Sequence, residues 1–333
     1  MKALHRNERA QLRRFCLYGF LKNQLYFEPF LILALREKGF SFTAIGALIA
    51  FRAVSVNLLE IPSGAAADAW GRRRSMIASM AGYIVSFVVF ALATDYRFFF
   101  PAMFAFAVGE AFRTGTHKAM IFDWLGRRGR QDEKTRVYGL TRSWSKIGSS
   151  VNAIIAAAIV IIAQSYVWVF WFSIIPYALN IVNFMFYPGY LDAGPAGGAA
   201  GSRRRRPFQA AWAILRQGLA ACAGRKQLRG LILENVCFEG FYSTAKDYLQ
   251  PLLKAAALAA PILLSQTDRV RTAVLVGIVY AALNLLSSVA SRRSHRAAAW
   301  AGGESRLTGR IWLLSLAVYG AAAAGIAAGT SIA

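Results

Sequence analysis

The sequence predicts an all-α protein, a polytopic membrane bundle of about nine transmembrane helices. Three observations predict it. Of 333 residues, 56% are hydrophobic and only 17% charged, with a mean hydropathy of +0.40. Apolar runs recur at close to the ~20 residues that a helix needs to cross a bilayer. The cations gather in short stretches between those runs, on alternate sides: 26 lysines and arginines fall in segments assigned to the inside and 6 in segments assigned to the outside. That asymmetry places the N-terminus of a multi-pass membrane protein in the cytoplasm.

The elements follow in order. Residues 1–14 are polar and basic, and the run from Phe15 to about Leu35 is the first span. It is long and lacks a small-residue cleavage site, so it reads as a helix rather than a removed signal peptide. Arg36 to Gly39 lead into helix 2, roughly Phe40 to Ile61, and a basic, glycine-punctuated corner follows from Glu60 to Arg74. Helix 3 covers Met76 to Ala93, and the short turn at Thr94 to Tyr96 returns the chain antiparallel into helix 4, about Phe98 to Trp124. After the polar segment 126–138, helix 5 spans about Gly139 to Ala163 and helix 6 about Tyr166 to Tyr187, with Trp168, Trp171 and Tyr187 suited to interfacial belts. Residues 1–187 thus form a six-helix half.

Residues 188–230 are a cytoplasmic basic linker, with the run Arg203 to Arg206 and, from Pro207 to Gly224, apolar spacing that fits a surface-lying or bundle-packed amphipathic helix. Helices 7 (about Leu231 to Leu253), 8 (about Thr272 to Ala290) and 9 (from about Ile311) make residues 231–333 a partial second half. Ala255 to Leu264 is apolar but too short to span, so a re-entrant or surface segment is expected there.

Composition excludes several functions. The formal net charge of +23 raises nucleic acid as a partner, but the cations sit between apolar spans and no aromatic-interleaved basic groove accompanies them. Cys16, Cys222 and Cys237 lack metal-ligand spacing, His5, His117 and His295 are dispersed, and no Gly-x-x-x-x-Gly-Lys-Ser or Thr pattern offers a nucleotide site. No metal, no cofactor and no enzyme activity are expected; the partners are membrane lipids and a small solute.

The corner carries a specific motif. Gly64, Asp68, Gly71, Arg72, Arg73 and Arg74 between helices 2 and 3 resemble the signature loop of the major facilitator superfamily, with a departure at Ala69, where the family usually has arginine. The helix 4 stretch from Gly109 to Asp123 looks like bacterial permeases of the same superfamily. The resemblance implies two six-helix halves around a midplane site opened alternately to either side, and a cytoplasmic charge relay of Asp68, Arg72 and Asp123. It makes the chain a secondary transporter of a small solute, with protons as the expected coupling ion. It also implies three further helices, so a longer gene is expected, and the rival reading is a non-transporting scaffold or remnant. Ser291 to Arg296 look like a degraded second copy of the corner. Where proton-antiport exporters carry a glycine-rich run ending in Gly-Pro, this chain has Gly148 to Ala153, so that signature is absent and the small residues from Ser145 to Ala156 read as a helix-packing face.

A charge at the bilayer centre costs ~2.5–3.5 kcal/mol, so intramembrane ionisable residues face a partner or a wet cavity. The candidates are Lys22 and Glu28 on helix 1, with Pro29 loosening the backbone, and Arg52 on helix 2. Glu110, Arg113 and His117 share one face of helix 4, and Glu239 and Lys246 share one face of helix 7. For the helix 4 group, cavity lining and a structural network that satisfies its own charges both stand. Arg142 and Lys146 on helix 5 either answer Glu110 or Asp123 or lie at the interface.

Overall fold

The computed structural model describes residues 6–192, 224, 226–261, 264–301, 309–315 and 317. Ten α-helices are named here in chain order: α1 Arg6–Leu21, α2 Leu31–Glu37, α3 Phe42–Trp70, α4 Arg72–Leu92, α5 Phe99–Arg113, α6 Thr116–Gly126, α7 Lys134–Ala163, α8 Val167–Met185, α9 Lys226–Ala259 and α10 Asp268–Ala301. They belong to two compact units, residues 1–282 and 283–333. In the second, Arg310 lies over the Trp300 ring at 5.2 Å.

Among the described residues, five helices are continuous, long and apolar enough to cross a membrane: Phe42–Glu60, Arg72–Leu92, Gln131–Ala163, Val167–Met185 and Asp268–Ser287. Two further expected spans are present as broken pairs. The first divides into α1 and α2, the fourth into α5 and α6. In the first, Asn23 and Gln24 have side chains that compete for backbone groups, and Pro29 lacks an N–H and obstructs the carbonyl four residues back. The chain therefore turns over 22–27 and re-enters through a 3-10 turn at Glu28–Phe30. In the fourth, Gly115 adopts φ 77°, a left-handed conformation that stops one helix and starts the next.

The basic corner is tighter than its composition suggests. Ser41 caps α3, its hydroxyl accepting from the Ala44 N–H at 3.1 Å, and the helix continues through Pro62 to Trp70. Only Gly71 separates α3 from α4, at φ 102° and ψ 135°. Likewise α10 runs on through 291–296, so the expected second corner is the end of a long helix, as most of the first one is. The expected surface segment after residue 255 begins as the last turn of α9. The amphipathic stretch 207–224 and most of helix 9 lie outside the described residues.

Within residues 1–282, α4 packs on α5 and α8, α3 on α5, α1 on α7 and α8, and α9 on α2. The buried core is aromatic. Phe27, at the break of the first span, stacks on Phe170 at 5.4 Å and meets Phe87 at 5.4 Å. Apolar side chains also face outward, Leu58 at 71% and Ile162 at 84% exposure, as a lipid-facing surface requires. The seam of α1 and α7 is close because it is small. A Cβ on Gly148 would lie 2.5 Å from the Phe20 carbonyl oxygen, and one on Gly19 2.8 Å from that of Thr141. The packing reading of the small residues on helix 5 thus describes their position.

Candidate solute cavity

The break in the first span generates the site. Each helix interruption strands backbone donors and acceptors that apolar surroundings cannot satisfy. Here neighbouring side chains take them. The Asn23 amide donates to the Ser145 carbonyl at 2.5 Å and the Gln24 amide to that of Gly148 at 2.9 Å. Tyr177 donates to the Lys22 carbonyl at 2.8 Å, and the Tyr26 N–H reaches the Ser173 hydroxyl at 3.0 Å. On the other side, Gln250 of α9 accepts from the Ile32 N–H and donates to the Glu28 carbonyl, both at 2.9 Å.

Beside this break, between α1, α6 and α7, opens a cavity of about 290 Å³ lined by Tyr18, Gly19, Lys22, Asn23, His117, Tyr138, Thr141, Arg142, Ser145, Lys146 and Ser149. Among the described residues its charged lining consists of Lys22, Arg142 and Lys146, without a carboxylate. The Lys22 ammonium lies 5.7 Å from the centre of the Tyr18 ring. His117 is against Tyr18, ring centroids 4.0 Å apart, with its Nε2 3.3 Å from the Tyr187 hydroxyl.

Other expected site residues form satellites. Glu110 and Arg113 pair at 3.4 Å, and the Arg113 Nε donates to the Tyr83 hydroxyl at 3.1 Å. His117 does not continue their face, because the turn at Gly115 places it on a separate helix. Arg52 stacks over the Phe106 ring at 5.2 Å. Glu28 and Lys246 form an ion pair of 2.6 Å between the first span and α9, with side chains 44% and 33% exposed, and Tyr280 donates to the Lys246 carbonyl at 2.7 Å. The side chain of Glu239 lies outside the described residues.

At the corner, Gly64 is exposed within α3 and the Asp68 side chain lies outside the described residues. Asp123 pairs with Arg127 one turn on, at 3.1 Å. Among the described residues an anion at the start of α4 is Asp192, which sequence reasoning missed. Its carboxylate accepts from the N–H groups of Arg73 and Arg74 at 3.1 and 3.3 Å, its carbonyl accepts from that of Arg72 at 3.2 Å, and the Arg73 side chain reaches the carboxylate at 3.6 Å and the Tyr187 carbonyl at 3.2 Å. A carboxylate at a helix start satisfies orphan donors and the positive dipole end together. No local signal marks Asp192, which stands 120 positions beyond Arg72 in the chain.

At the opposite end, Glu37 pairs with Arg269, whose guanidinium also donates to the Gln164 carbonyl at 2.7 Å, and Thr267 donates to the Gln164 side chain at 3.0 Å. Burial, with Glu37 adding to it, pushes the nearby Tyr166 phenol up to about 12.

The family model of the Major Facilitator Superfamily matches residues 16–333. The chain belongs to the major facilitator superfamily. This facilitator fold is also similar to solved transporters: the nucleoside transporter NupG at TM-score 0.62 and 14% identity, over 89% of this chain and 76% of that one. A bacterial homologue of the human drug peptide transporters PepT1 and PepT2 matches at TM-score 0.50 and 12% identity, over 86% and 71%. A POT family transporter in complex with a thioalcohol-conjugated peptide matches at 14% identity and TM-score 0.48, and the chain spans 52% of its length. At these identities the likeness is one of fold. No curated protein sequence matches the chain. The facilitator is a multi-pass membrane transporter.

Proposed function

We propose that this facilitator is a secondary active transporter of a small anionic solute, working by alternating access. The observation that carries the reading is the cavity's charge: Lys22, Arg142 and Lys146 line it with His117 and six side-chain hydroxyls or amides, and among the described residues its lining includes no carboxylate. Cations held in a low-dielectric interior are costly, and an anion bound among them recovers that cost through charge-assisted hydrogen bonds. The hydroxyls of Thr141, Ser145 and Ser149 donate to carbonyls of their own helix and the Asn23 amide to that of Ser145, which fixes the polar wall on which the cations stand. A neutral nucleoside offers these cations no charge to bind, and a zwitterionic peptide brings a further cation among them.

Protons are the coupling ion in this reading, and Glu28 is their carrier. A proton on Glu28 cancels its attraction for Lys246, which ties the titration to the contact between the first span and α9. The supporting experiment is uptake into proteoliposomes by the full-length gene product. Small carboxylates or phosphates, screened at equal concentration with nucleosides and dipeptides, are expected to be the only class taken up and the class that raises the melting temperature. Arg142→Gln should raise the half-saturating concentration about tenfold or more, the scale of one charge-assisted bond. Uptake restricted to neutral solutes would overturn the anion assignment, and absence of flux for every class would favour the scaffold reading. Uptake by Glu28→Gln that still responds to a pH gradient would remove Glu28 as carrier.

A further inference from the structure

The seam of α1 and α7 has a second, opposite side. There a groove of about 740 Å³ is lined by Arg9, Leu12, Arg13, Arg14, Cys16, Leu17, Phe20, Leu140 and Trp144. On α1 its residues lie roughly opposite to Tyr18, so it faces away from the solute cavity. Its lining is divided along its length. The three arginines lie toward the start of α1, and Cys16, Leu17 and Phe20 lie further along. From Arg9 to Phe20 the axis rises ~16 Å, close to half of the ~30 Å hydrocarbon thickness.

We infer that this groove is a binding site for one anionic phospholipid of the leaflet that meets the start of α1, its phosphate held by Arg9 and Arg13 and an acyl chain laid along Leu17, Phe20, Leu140 and Trp144. Charge and polarity complement such a lipid and little else: the polar side chains of the groove are all cations, and the rest are apolar or Cys16. Leu17, Leu140 and Trp144 are 46%, 42% and 43% exposed, so the protein does not cover them itself. Arg9 and Arg13 make no ion pair among the described residues, whereas Arg14 is fixed by the Phe186 carbonyl at 2.7 Å and lies over the Phe186 ring, forming a wall. A basic pocket between spanning helices at the membrane surface is the chemistry that selects a lipid phosphate.

The test is a lipid titration of the delipidated, detergent-solubilised protein, read by native mass spectrometry and melting temperature. The probes are phosphatidylglycerol, phosphatidylcholine of the same chains, and inorganic phosphate. Phosphatidylglycerol is expected to bind about thirtyfold more tightly than phosphatidylcholine, which is ~1 kcal/mol for each of two arginines at 1.4 kcal/mol per tenfold. The double variant R9Q/R13Q should abolish that preference, and Leu17→Gln with Leu140→Gln should weaken both lipids while the helical circular dichroism and cooperative melting of the lipid-free protein persist. Equal binding of the two lipids, a preference that survives R9Q/R13Q, or stabilisation by inorganic phosphate equal to that of the lipid would each overturn the inference. The unchanged melting of the lipid-free variants separates loss of this site from loss of the fold.

Discussion

Gln250 carries more than its size suggests. One amide accepts from Ile32 and donates to Glu28 across a gap that the broken first span opens in its own hydrogen-bond ladder. Gln250→Leu keeps the volume and orphans two buried backbone groups, each costing ~1–3 kcal/mol. A lowered melting temperature in detergent is expected, with a smaller loss for Gln250→Glu, which keeps one acceptor. Gly148 has a different vulnerability. Its missing Cβ is the space occupied by the Phe20 backbone, so Gly148→Ala should destabilise by ~1–3 kcal/mol through forced separation of α1 from α7. The Glu28–Lys246 pair gives a third outcome. Lys246→Met leaves a carboxylate without its partner, and adding Glu28→Gln should restore part of the lost stability, the whole effect staying within ~1 kcal/mol because both side chains are partly exposed.

At the scale of the element, glycines decide where helices stop. Gly115 at φ 77° and Gly71 at φ 102° hold conformations in which an L side chain is strained by ~1–2 kcal/mol. Gly115→Ala has open space and should cost only that strain. Gly71→Ala would also drive its Cβ into the Asp192 carboxylate, so it should cost clearly more, and Asp192→Ala combined with it should cost less than the sum of the two. Parallel thermal denaturation of the four variants checks this.

This is also the scale at which the sequence was most and least legible. Hydropathy located the spans because the bilayer demands a fixed apolar length, and the corner motif identified the family because its glycines and arginines are local. The breaks were harder. A span-length stretch from Phe98 to Trp124 conceals a turn set by one backbone angle at Gly115, and so Glu110, Arg113 and His117, correctly spaced for one face, end on two helices. Arg142 and Lys146 were read as interfacial or as partners of acids, yet both line the cavity, since burial of a cation depends on what the neighbouring helix leaves open. Asp192 is invisible for a further reason: its partners at Arg73 and Arg74 are close in space only after six spans have packed.

At the scale of the molecule, the first half and α9–α10 up to residue 282 meet at two levels, through Glu28–Lys246 and through Glu37–Arg269. The second pair is partly exposed, 31% and 44%, and an exposed pair is worth ~0.2–1 kcal/mol. Its loss should barely change the melting temperature. It should instead change access, since Leu33 is buried beside Glu37, Tyr166 and Arg269 around a space of about 250 Å³. In a background lacking Cys16, Cys222 and Cys237, Leu33→Cys is expected to react up to about fivefold faster with an impermeant maleimide when Arg269 is Ala, the ratio that ~1 kcal/mol allows. Unchanged labelling would mean that this pair does not restrain the surface it spans.

The bridge made by Gln250 also has a hydrodynamic side. Any rearrangement that moves α9 from the first span exposes one amide hydrogen and one carbonyl at residues 32 and 28, and water is the replacement at hand. Separation of the two segments is then inseparable from wetting of the break between them. The amide of Ile32 becomes a clock: its deuterium uptake counts how often this facilitator comes apart at its centre.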